Sequence, residues 1–207
     1  MAAIRQFRAG DEVAIGRICL QTADAGGDAT GILDDDELWA AVYALPYVVR
    51  HPEYAFVAED AVGQAAGYVL ATPDTAAFDA WFRDEWWPRF HRRWPRPAPA
   101  DGSRAAGILR GAWDRGGRPG DAGEPGDARL AAAYPAHLHI DLLPSLQGRG
   151  LGRRLIETEL TRLREASVAG VHLGVDPRNA GAQAFYGRLG FTRVPAPSGV
   201  IVYGLTL

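Results

Sequence analysis

Two spacings of apolar residues alternate along the chain and together predict a mixed α/β domain. Strict alternation of apolar and polar side chains is typical of half-buried strands, whereas a spacing of three or four is typical of helices with one buried face. Alternation occurs at residues 4–7 and 137–143, and the further predicted strands are the apolar segments 54–59, 65–72, 171–175, 191–194 and 200–207. The helix pattern occupies residues 13–19, 34–45, 151–163 and 182–189.

End signals support three of the predicted helices. Asp34 and Glu37 stand three residues apart in an acidic first turn, which predicts a capping box at the start of the second helix. Pro46 is expected to stop that helix. Gly26 follows the first helix, and Gly190 is expected at the C′ position of the last one.

An aromatic segment separates the third predicted strand from the fourth. Its aromatic residues recur every four positions, at Phe78, Phe82, Trp86, Phe90 and Trp94. This spacing predicts an aromatic stripe on a helix, and a buried packing face is the favoured interpretation over a lid or an acceptor pocket. Pro88 either kinks this helix or starts a new one. We treat residues 75–134 as an insertion within one domain that spans residues 1–207.

Composition narrows the classes of partner and location. The chain has 207 residues, of which 47% are hydrophobic, and its net charge of −3 favours neither nucleic acid nor an anionic membrane surface. Cys19 is the single cysteine, and no Cys/His spacing predicts a metal site. The sequence has no apolar run long enough to span a bilayer and no signal-like start. We therefore expect a soluble, cytoplasmic protein without a metal.

The segment 147–152, Gln-Gly-Arg-Gly-Leu-Gly, lies between a predicted strand and a predicted helix. Glycines let backbone N–H groups approach a phosphate, and the N-terminus of the following helix adds its positive dipole end. Such a turn forms an anion-binding nest without a lysine. Arg153 and Arg154, in the first helical turn, are placed to meet further phosphate charge.

Three alternatives compete for this glycine segment. A Rossmann dinucleotide site needs G-x-G-x-x-G and an acidic residue about 20 positions later, and a Walker P-loop needs Gly-Lys-Ser/Thr. The chain instead has G-x-G-x-G, and residues 167–170 offer no carboxylate. The third alternative is a tight turn with no ligand, which the segment on its own leaves open.

A second motif decides between these alternatives by resemblance. Together the two motifs resemble the GNAT family of N-acetyltransferases. That family carries Q/R-x-x-G-x-G/A, matched by Gln147, Gly150 and Gly152. It then carries N-x-x-A-x-x-F/L-Y-x-x-x-G-F, matched by Asn179, Ala182, Phe185, Tyr186, Gly190 and Phe191. The resemblance covers residues 1–72 and 135–207, and the C-terminal part is more distantly similar to the acetyltransferase-like domain of eukaryotic O-GlcNAcases.

The resemblance implies a fold and a cofactor. The expected fold is a central, mostly antiparallel twisted sheet with helices on both faces, carrying the Trp-rich helical insertion. The expected cofactor is acetyl-CoA, with its pyrophosphate on the glycine turn, its pantetheine arm beside β-strand residues 142–143, and a hydrogen bond from Asn179. The implied cofactor-binding residues are Leu142, Leu143, Gln147, Gly148, Arg149, Gly150, Leu151, Gly152, Arg153, Asn179, Ala182, Phe185 and Tyr186.

Acetyl transfer to an amine needs a base, an oxyanion donor and a proton for the leaving sulfur. The resemblance assigns the last role to Tyr186, whose alternative is a core tyrosine on an apolar helix face. The oxyanion donor is expected to be a backbone N–H near Leu143. His137, His139 and Asp141 share one face of their strand.

The identity of the base stays open at this point. The resemblance implies that this strand borders the acceptor cleft, with Asp141 closest to the thioester and His139 behind it. Alternatively, these polar groups satisfy one another or pair with Arg side chains. Asp176 is a further carboxylate candidate, whose alternative is the cap of a turn with Pro177. The predicted function is acetyl transfer from acetyl-CoA to a small-molecule or peptide amine by a monomer or homodimer. The alternative is an inactive, CoA-binding or scaffolding domain of the same fold.

Overall fold

A single seven-stranded sheet carries all the strands of the computed structural model, which describes residues 3–115, 130–195 and 201–207. The order is β1-β2-β3-β4-β5-β7-β6, and every neighbouring pair is antiparallel except β4 and β5. The strands are β1 (Ile4–Gln6), β2 (Ala55–Glu59), β3 (Ala65–Thr72), β4 (Ala136–Leu142), β5 (Gly170–Val175), β6 (Thr192–Val194) and β7 (Ile201–Thr206).

Helices cover both faces of this sheet. They are α1 (Glu12–Leu20), α2 (Glu37–Tyr43), α3 (Leu45–Arg50), α4 (Thr75–Trp81), α5 (Arg104–Asp114), α6 (Leu151–Glu165) and α7 (Ala180–Arg188). Along β3, Tyr68 packs into the core formed with α1–α3, whereas Val69 packs into the core formed with α6 and α7. Successive side chains of a strand point to opposite faces, so β3 contributes to both cores, and the predicted fold class is confirmed.

The parallel pair β4 and β5 stays together over a short distance only. Among the described residues, the two strands pair at Ala136 with Val171 and at His137 with His172. Each strand then continues, β4 to Leu142 and β5 to Val175, without further pairing to the other. The sheet therefore opens between these strands at their C-terminal ends, and the backbone groups of β4 on that side have no neighbouring strand.

Two predicted helix-end signals are wrong. The N-cap of α2 is Asp36, and its carboxylate accepts a hydrogen bond from the Gly31 amide at 3.0 Å instead of capping the helix. The neighbouring Asp35 contacts the insertion: its Oδ2 accepts a hydrogen bond from the Arg93 Nε at 2.7 Å. Pro46 does not stop α2 but stands in the first turn of α3, where its missing N–H costs no helical hydrogen bond.

The aromatic segment is a packing face, as predicted. After α4 the helix widens into a π-helical turn (Phe82–Trp86), and Pro88 opens a separate 3₁₀ turn (Trp87–Phe90). Trp87 is stacked between Phe82 and Trp94, with ring centroids 5.8 Å apart in each pair. The Pro- and Gly-rich residues 95–126 predict a long loop with a short helical piece around residues 108–113. Helix α5 is longer than that piece. Residues 116–126 of the predicted loop lie outside the described residues.

Membrane-spanning helices and metal-binding clusters are both absent from the described residues. Within them, no helix has the length and apolar character needed to cross a membrane. No group of three or more His, Cys, Asp and Glu side chains among the same residues is arranged to hold a metal ion.

Candidate active site

The opening between β4 and β5 forms a cleft of about 690 Å³, called the central cleft below. Its walls come from four parts of the chain: the end of β4, the glycine turn, α7 and the turn after α1. The lining residues that enter the argument are Thr22, Ala25, Gly26, Ile140, Asp141, Leu142, Gln147, Gly148, Gly150, Gly152, Arg153, Asn179, Ala182, Phe185 and Tyr186. The two sequence motifs, about thirty residues apart, therefore meet at one cleft.

The glycine turn has the backbone that an anion nest requires. Gly148 and Gly150 have φ values of +72° and +74°, a left-handed conformation that disfavours side chains. Gly150 is also the N-cap of α6. The first amides of α6, from Leu151 to Arg153, have no acceptor within the helix and carry its positive dipole end. This edge of the cleft therefore suits a phosphate group.

Gly152 serves a different purpose in the same turn. A Cβ at this position would lie 3.3 Å from the Phe185 Cζ, tighter than an ordinary contact. The glycine thus allows α6 and α7 to approach each other where they border the cleft. Three predicted cofactor residues are absent from the lining: Leu143 is bonded to β3 through its amide, Leu151 is buried in the core, and Arg149 is exposed on the surface.

The end of β4 presents its backbone to the cleft. The Leu143 amide donates to the Ala66 carbonyl at 2.9 Å, so it belongs to the β3–β4 ladder. The backbone N–H and C=O groups of successive strand residues point to opposite sides of the strand. Since those of Leu143 point toward β3, those of Leu142, which stands opposite Gly67, point away from β3 and into the opening. The side-chain Nε2 of Gln147 donates to the Leu142 carbonyl at 2.8 Å. The expected backbone donor is thus the Leu142 N–H, and the Leu143 N–H is excluded because it is already bonded.

Asn179 connects α7 to the cleft. Its Oδ1 accepts a hydrogen bond from the Ala182 amide at 2.9 Å and caps the helix. Its Nδ2 faces the turn after α1, where a Cβ on Gly26 would lie 3.0 Å away. The side-chain oxygen of Asn179 therefore fixes the start of α7, and its side-chain nitrogen lies against the wall of the cleft.

Tyr186 is held by its ring and not by its hydroxyl. The residue is 7% exposed, and its ring packs against Phe185, Phe191 and Tyr203. Within the described chain, no hydrogen bond joins the Tyr186 hydroxyl to another residue. Burial raises the pKa of Tyr186, and the nearby negative charge of Asp141 raises it further. The phenol is therefore a proton-carrying donor at neutral pH.

Asp141 is the carboxylate that the structure brings to the central cleft. The Tyr68 hydroxyl donates to its Oδ2 at 2.6 Å. Burial raises the pKa of Asp141, an effect that the hydrogen bond from Tyr68 partly offsets. Asp141 and Tyr186 line the same cleft, so a proton acceptor and a proton donor lie in one site.

His139 turns toward the insertion and lies outside the lining of the cleft. The Tyr47 hydroxyl is 3.0 Å from its Nε2 and 2.6 Å from the Nε2 of His137. The Arg115 guanidinium, 3.0 Å from the same hydroxyl, is in turn paired with Asp79 at 2.7 Å. Burial and the charge of Arg115 lower the pKa of His139 to about 3. Both histidines are therefore parts of a buried network beneath the insertion.

Asp176 is also outside the central cleft. Its Oδ1 accepts a hydrogen bond from the Arg178 amide at 2.8 Å, and its Oδ2 accepts one from the Arg178 guanidinium at 2.8 Å. These hydrogen bonds lower the pKa of Asp176. Its geometry is that of a turn cap, the alternative use of an Asp-Pro pair considered above.

The turn after α1 was not expected at the site. Asp24 and Gly27 exchange backbone hydrogen bonds of 3.0 and 2.9 Å, which close a tight turn over Ala25 and Gly26. Asp24 is braced by two guanidinium groups, that of Arg178 at 2.9 Å and that of Arg104 at 3.0 Å. The Gly-Gly pair signals a turn in the sequence, but its position against Asn179 depends on the packing of α1 on the sheet.

Comparison with known proteins then identifies the family. The family model for the acetyltransferase (GNAT) family matches residues 25–191. The chain belongs to the GNAT family. A mycothiol acetyltransferase of Catenulispora acidiphila is 31% identical over 159 residues, which are 77% of this chain and 41% of that protein. The chain thus spans about two fifths of the length of this curated relative.

Solved structures support the same family. The structure of SsHAT is 42% identical, with a TM-score of 0.87, and the match covers 99% of this chain and 98% of that one. The polyamine N-acetyltransferase of Drosophila melanogaster is 18% identical, with a TM-score of 0.59 and full coverage of both chains. The latter likeness shows that the GNAT fold is shared.

Acetyl-CoA is the cofactor of the GNAT family. One GNAT-fold neighbour, yncA of Salmonella typhimurium, has a structure with acetyl-CoA; it is 17% identical, with a TM-score of 0.54, over 100% of this chain and 94% of that one. The residues here fit such a group. The glycine turn offers amides for a pyrophosphate, and the unpaired edge at Leu142 offers backbone partners for an extended arm. The cofactor expected from the two motifs is therefore confirmed.

Proposed function

We propose that this protein transfers the acetyl group of acetyl-CoA to an amine acceptor, either a small molecule or a peptide. The observation that carries the proposal is the convergence of Asp141 and Tyr186 on the central cleft, beside the glycine turn. A CoA-binding scaffold needs the glycine turn alone. The additional carboxylate and phenol are the groups that proton transfer requires.

The binding groups divide by the chemistry they face. The amides of the glycine turn and the positive side chain of Arg153 hold the pyrophosphate. The unpaired edge of β4 and the Asn179 Nδ2 would hold the pantetheine arm. Acetyl-CoA would supply the acetyl group as a thioester, and the Leu142 N–H would serve as the donor for negative charge on the thioester oxygen.

Asp141 acts as the base. An amine attacks only in its neutral form, and Asp141 accepts the proton that the acceptor loses. Burial raises the pKa of this carboxyl toward the working pH, which makes it a better proton acceptor than an exposed aspartate. Tyr186 acts as the acid and donates its phenolic proton to the departing sulfur. Its hydroxyl is available because its position depends on ring packing alone.

An amine panel tests this proposal. The names of two GNAT-fold neighbours guide it: one is linked to N-acetylagmatine formation and one to alanine of ribosomal protein S18. Agmatine, spermidine, tyramine and a peptide with N-terminal alanine are incubated with acetyl-CoA, and the free CoA thiol is measured. We expect amine-dependent release that Gly150→Asp removes. Binding of acetyl-CoA without release for any amine of the panel would favour the scaffold alternative.

A further inference from the structure

Tyr68 lies directly opposite Asp141 in the antiparallel pair of β3 and β4. Its side chain is 0% exposed, so the hydroxyl cannot reach water. The hydroxyl donates to the Asp141 Oδ2 at 2.6 Å, a length typical of a bond to a charged acceptor. Because both residues are fixed in neighbouring strands, the backbone sets the direction of this hydrogen bond.

The other groups that face Asp141 do not replace this donor. Cys19 of α1 is buried beside the Tyr68 ring system, and Tyr186 of α7 faces the carboxyl across the cleft. Thr22 also favours the charged form of Asp141, but its hydroxyl donates to the Ile18 carbonyl at 2.7 Å, whereas the Tyr68 hydroxyl donates to Asp141 itself. Tyr68 is therefore the donor that orients Asp141.

We propose that Tyr68 is a positioning residue whose hydroxyl holds the Asp141 carboxylate in the central cleft, ionised and aimed at the acceptor. This inference rests on the proposed role of Asp141 as the base. Two opposing effects act on the carboxyl: burial disfavours its charge, and the buried phenol favours it. Without the phenol, burial is opposed by Thr22 alone, and the carboxyl moves toward its protonated form, which cannot accept a proton.

Tyr68→Phe removes the hydroxyl, and Tyr47→Phe is its matched control. Both tyrosines are 0% exposed, and both hydroxyls bond a β4 side chain, but Tyr47 bonds the histidines. The protein is labelled with ¹³Cγ-aspartate, and the Asp141 signal is assigned by its loss in Asp141→Asn. We expect the Asp141 titration to move up by about one to two pH units in Tyr68→Phe, which corresponds to one hydrogen bond to a charged group. Tyr47→Phe should leave it unchanged.

The pH dependence of kcat/KM gives the second measurement, with the panel amine that is turned over fastest. The acidic limb of this profile should move to higher pH by the same amount in Tyr68→Phe. It should not move in Tyr47→Phe. The positioning role is overturned if, in Tyr68→Phe, neither the Asp141 titration midpoint nor the acidic limb of the kcat/KM profile moves. If Asp141→Asn keeps the wild-type limb, the base assignment itself fails, whatever Tyr68→Phe shows in the NMR titration.

A second variant covers the case in which Tyr68→Phe does not fold. 3-Fluorotyrosine at position 68 keeps the ring and its packing but makes the phenol a stronger donor. The Asp141 titration should then move to lower pH, opposite in sign to the effect of Tyr68→Phe. An unchanged or raised titration midpoint in this variant would contradict the proposal.

Discussion

Tyr186 combines a well-packed ring, a hydroxyl that bonds no described residue, and a place in the lining of the central cleft. Tyr47 and Tyr68 each use the hydroxyl in a buried hydrogen bond. The Tyr186 hydroxyl instead lies at the cleft, while three aromatic rings fix its position. A hydroxyl that borders a cleft can bond a solvent molecule or a ligand and does not need a protein partner. We infer that the hydroxyl is kept for the reaction.

Removal of the Tyr186 hydroxyl oxygen tests whether Tyr186 acts as the general acid. Tyr186→Phe should lower turnover by about 10²-fold or more, while the affinity for acetyl-CoA stays close to wild type, because the interaction is made in the transition state. Tyr54→Phe is the matched control, since Tyr54 has the same 7% exposure and lies outside the cleft. Melting temperatures are measured with the rates. Unchanged turnover in a folded Tyr186→Phe protein would make Tyr186 a core tyrosine only.

Removal of the negative charge of Asp141 tests whether Asp141 acts as the general base. Asp141→Asn keeps the shape of the side chain and should reduce the rate by about 10²–10⁴-fold with cofactor binding unchanged. Asp176→Asn makes the same change in a carboxylate that lies in the neighbouring turn, and it should leave the rate near wild type. The reverse pattern of rates would assign proton transfer to Asp176.

At the scale of elements, the glycine turn and α6 form one anion-binding unit. The left-handed residues Gly148 and Gly150 direct the chain into the helix, so that the first amides of α6 border the cleft. The element also needs β4 to end beside it, and the Gln147 bond to the Leu142 carbonyl connects the two. Phosphate binding is therefore a property of the strand, turn and helix together.

A thermal-shift titration tests this unit. Ligand at 100 times its dissociation constant stabilises a protein by about 2.7 kcal/mol, so acetyl-CoA should raise the melting temperature. Gly150→Asp should abolish the shift, because a carboxylate would occupy the phosphate position. Gly63→Asp is the control: Gly63 also has a positive φ, +82°, and open space around it, but it lies in the β2–β3 turn. Loss of the shift in both variants would point to backbone strain and not to the nest.

At the scale of the whole molecule, Glu159 introduces a pH dependence of stability. It is 0% exposed on the inner face of α6, and neither carboxyl oxygen has a hydrogen-bond partner among the described residues. Burial raises its pKa from 4.5 to about 9. The folded protein therefore keeps a proton that the unfolded chain releases above about pH 4.5. The stability from this group is complete at low pH and decreases as pH rises toward 9.

Glu159→Gln tests this dependence. The amide cannot ionise, so the variant should gain stability relative to wild type as pH rises from 5 to 8.5, with an upper limit of about 1.4 kcal/mol per pH unit. Urea unfolding at pH 5, 7 and 8.5 measures the difference. Glu157→Gln, on the exposed side of the same helix, should give a difference that does not grow with pH. A constant difference for Glu159→Gln would show that Glu159 does not bind a proton on folding.

Several interpretations stay predictions at this scale. We interpret the chain as one domain with an insertion at residues 75–134, acting as a monomer or homodimer. The insertion contributes directly to the region beside the cleft, because Arg104 of α5 binds Asp24 at 3.0 Å. The distant resemblance to the O-GlcNAcase domain also remains a prediction.

The sequence by itself determined the features that depend on neighbouring residues. Glycines at 148 and 150 are required by a local positive φ, and Asn179 caps the helix that begins at the next residue. Alternating apolar residues marked the strands, because side chains of a strand point to opposite faces. The two motifs could therefore be recognised, along with the fold class and the cofactor.

Only the tertiary structure decided which polar groups meet. Tyr68 stands 73 positions before Asp141, in a strand where nothing in the local pattern marks it as functional. The choice of Asp141 over His139 and Asp176 depends on where β4 leaves β5, on Tyr47 of α3 and on Arg178 of the following turn. Such contacts arise from strand pairing and helix packing between distant segments, which residue spacing in one sequence does not encode.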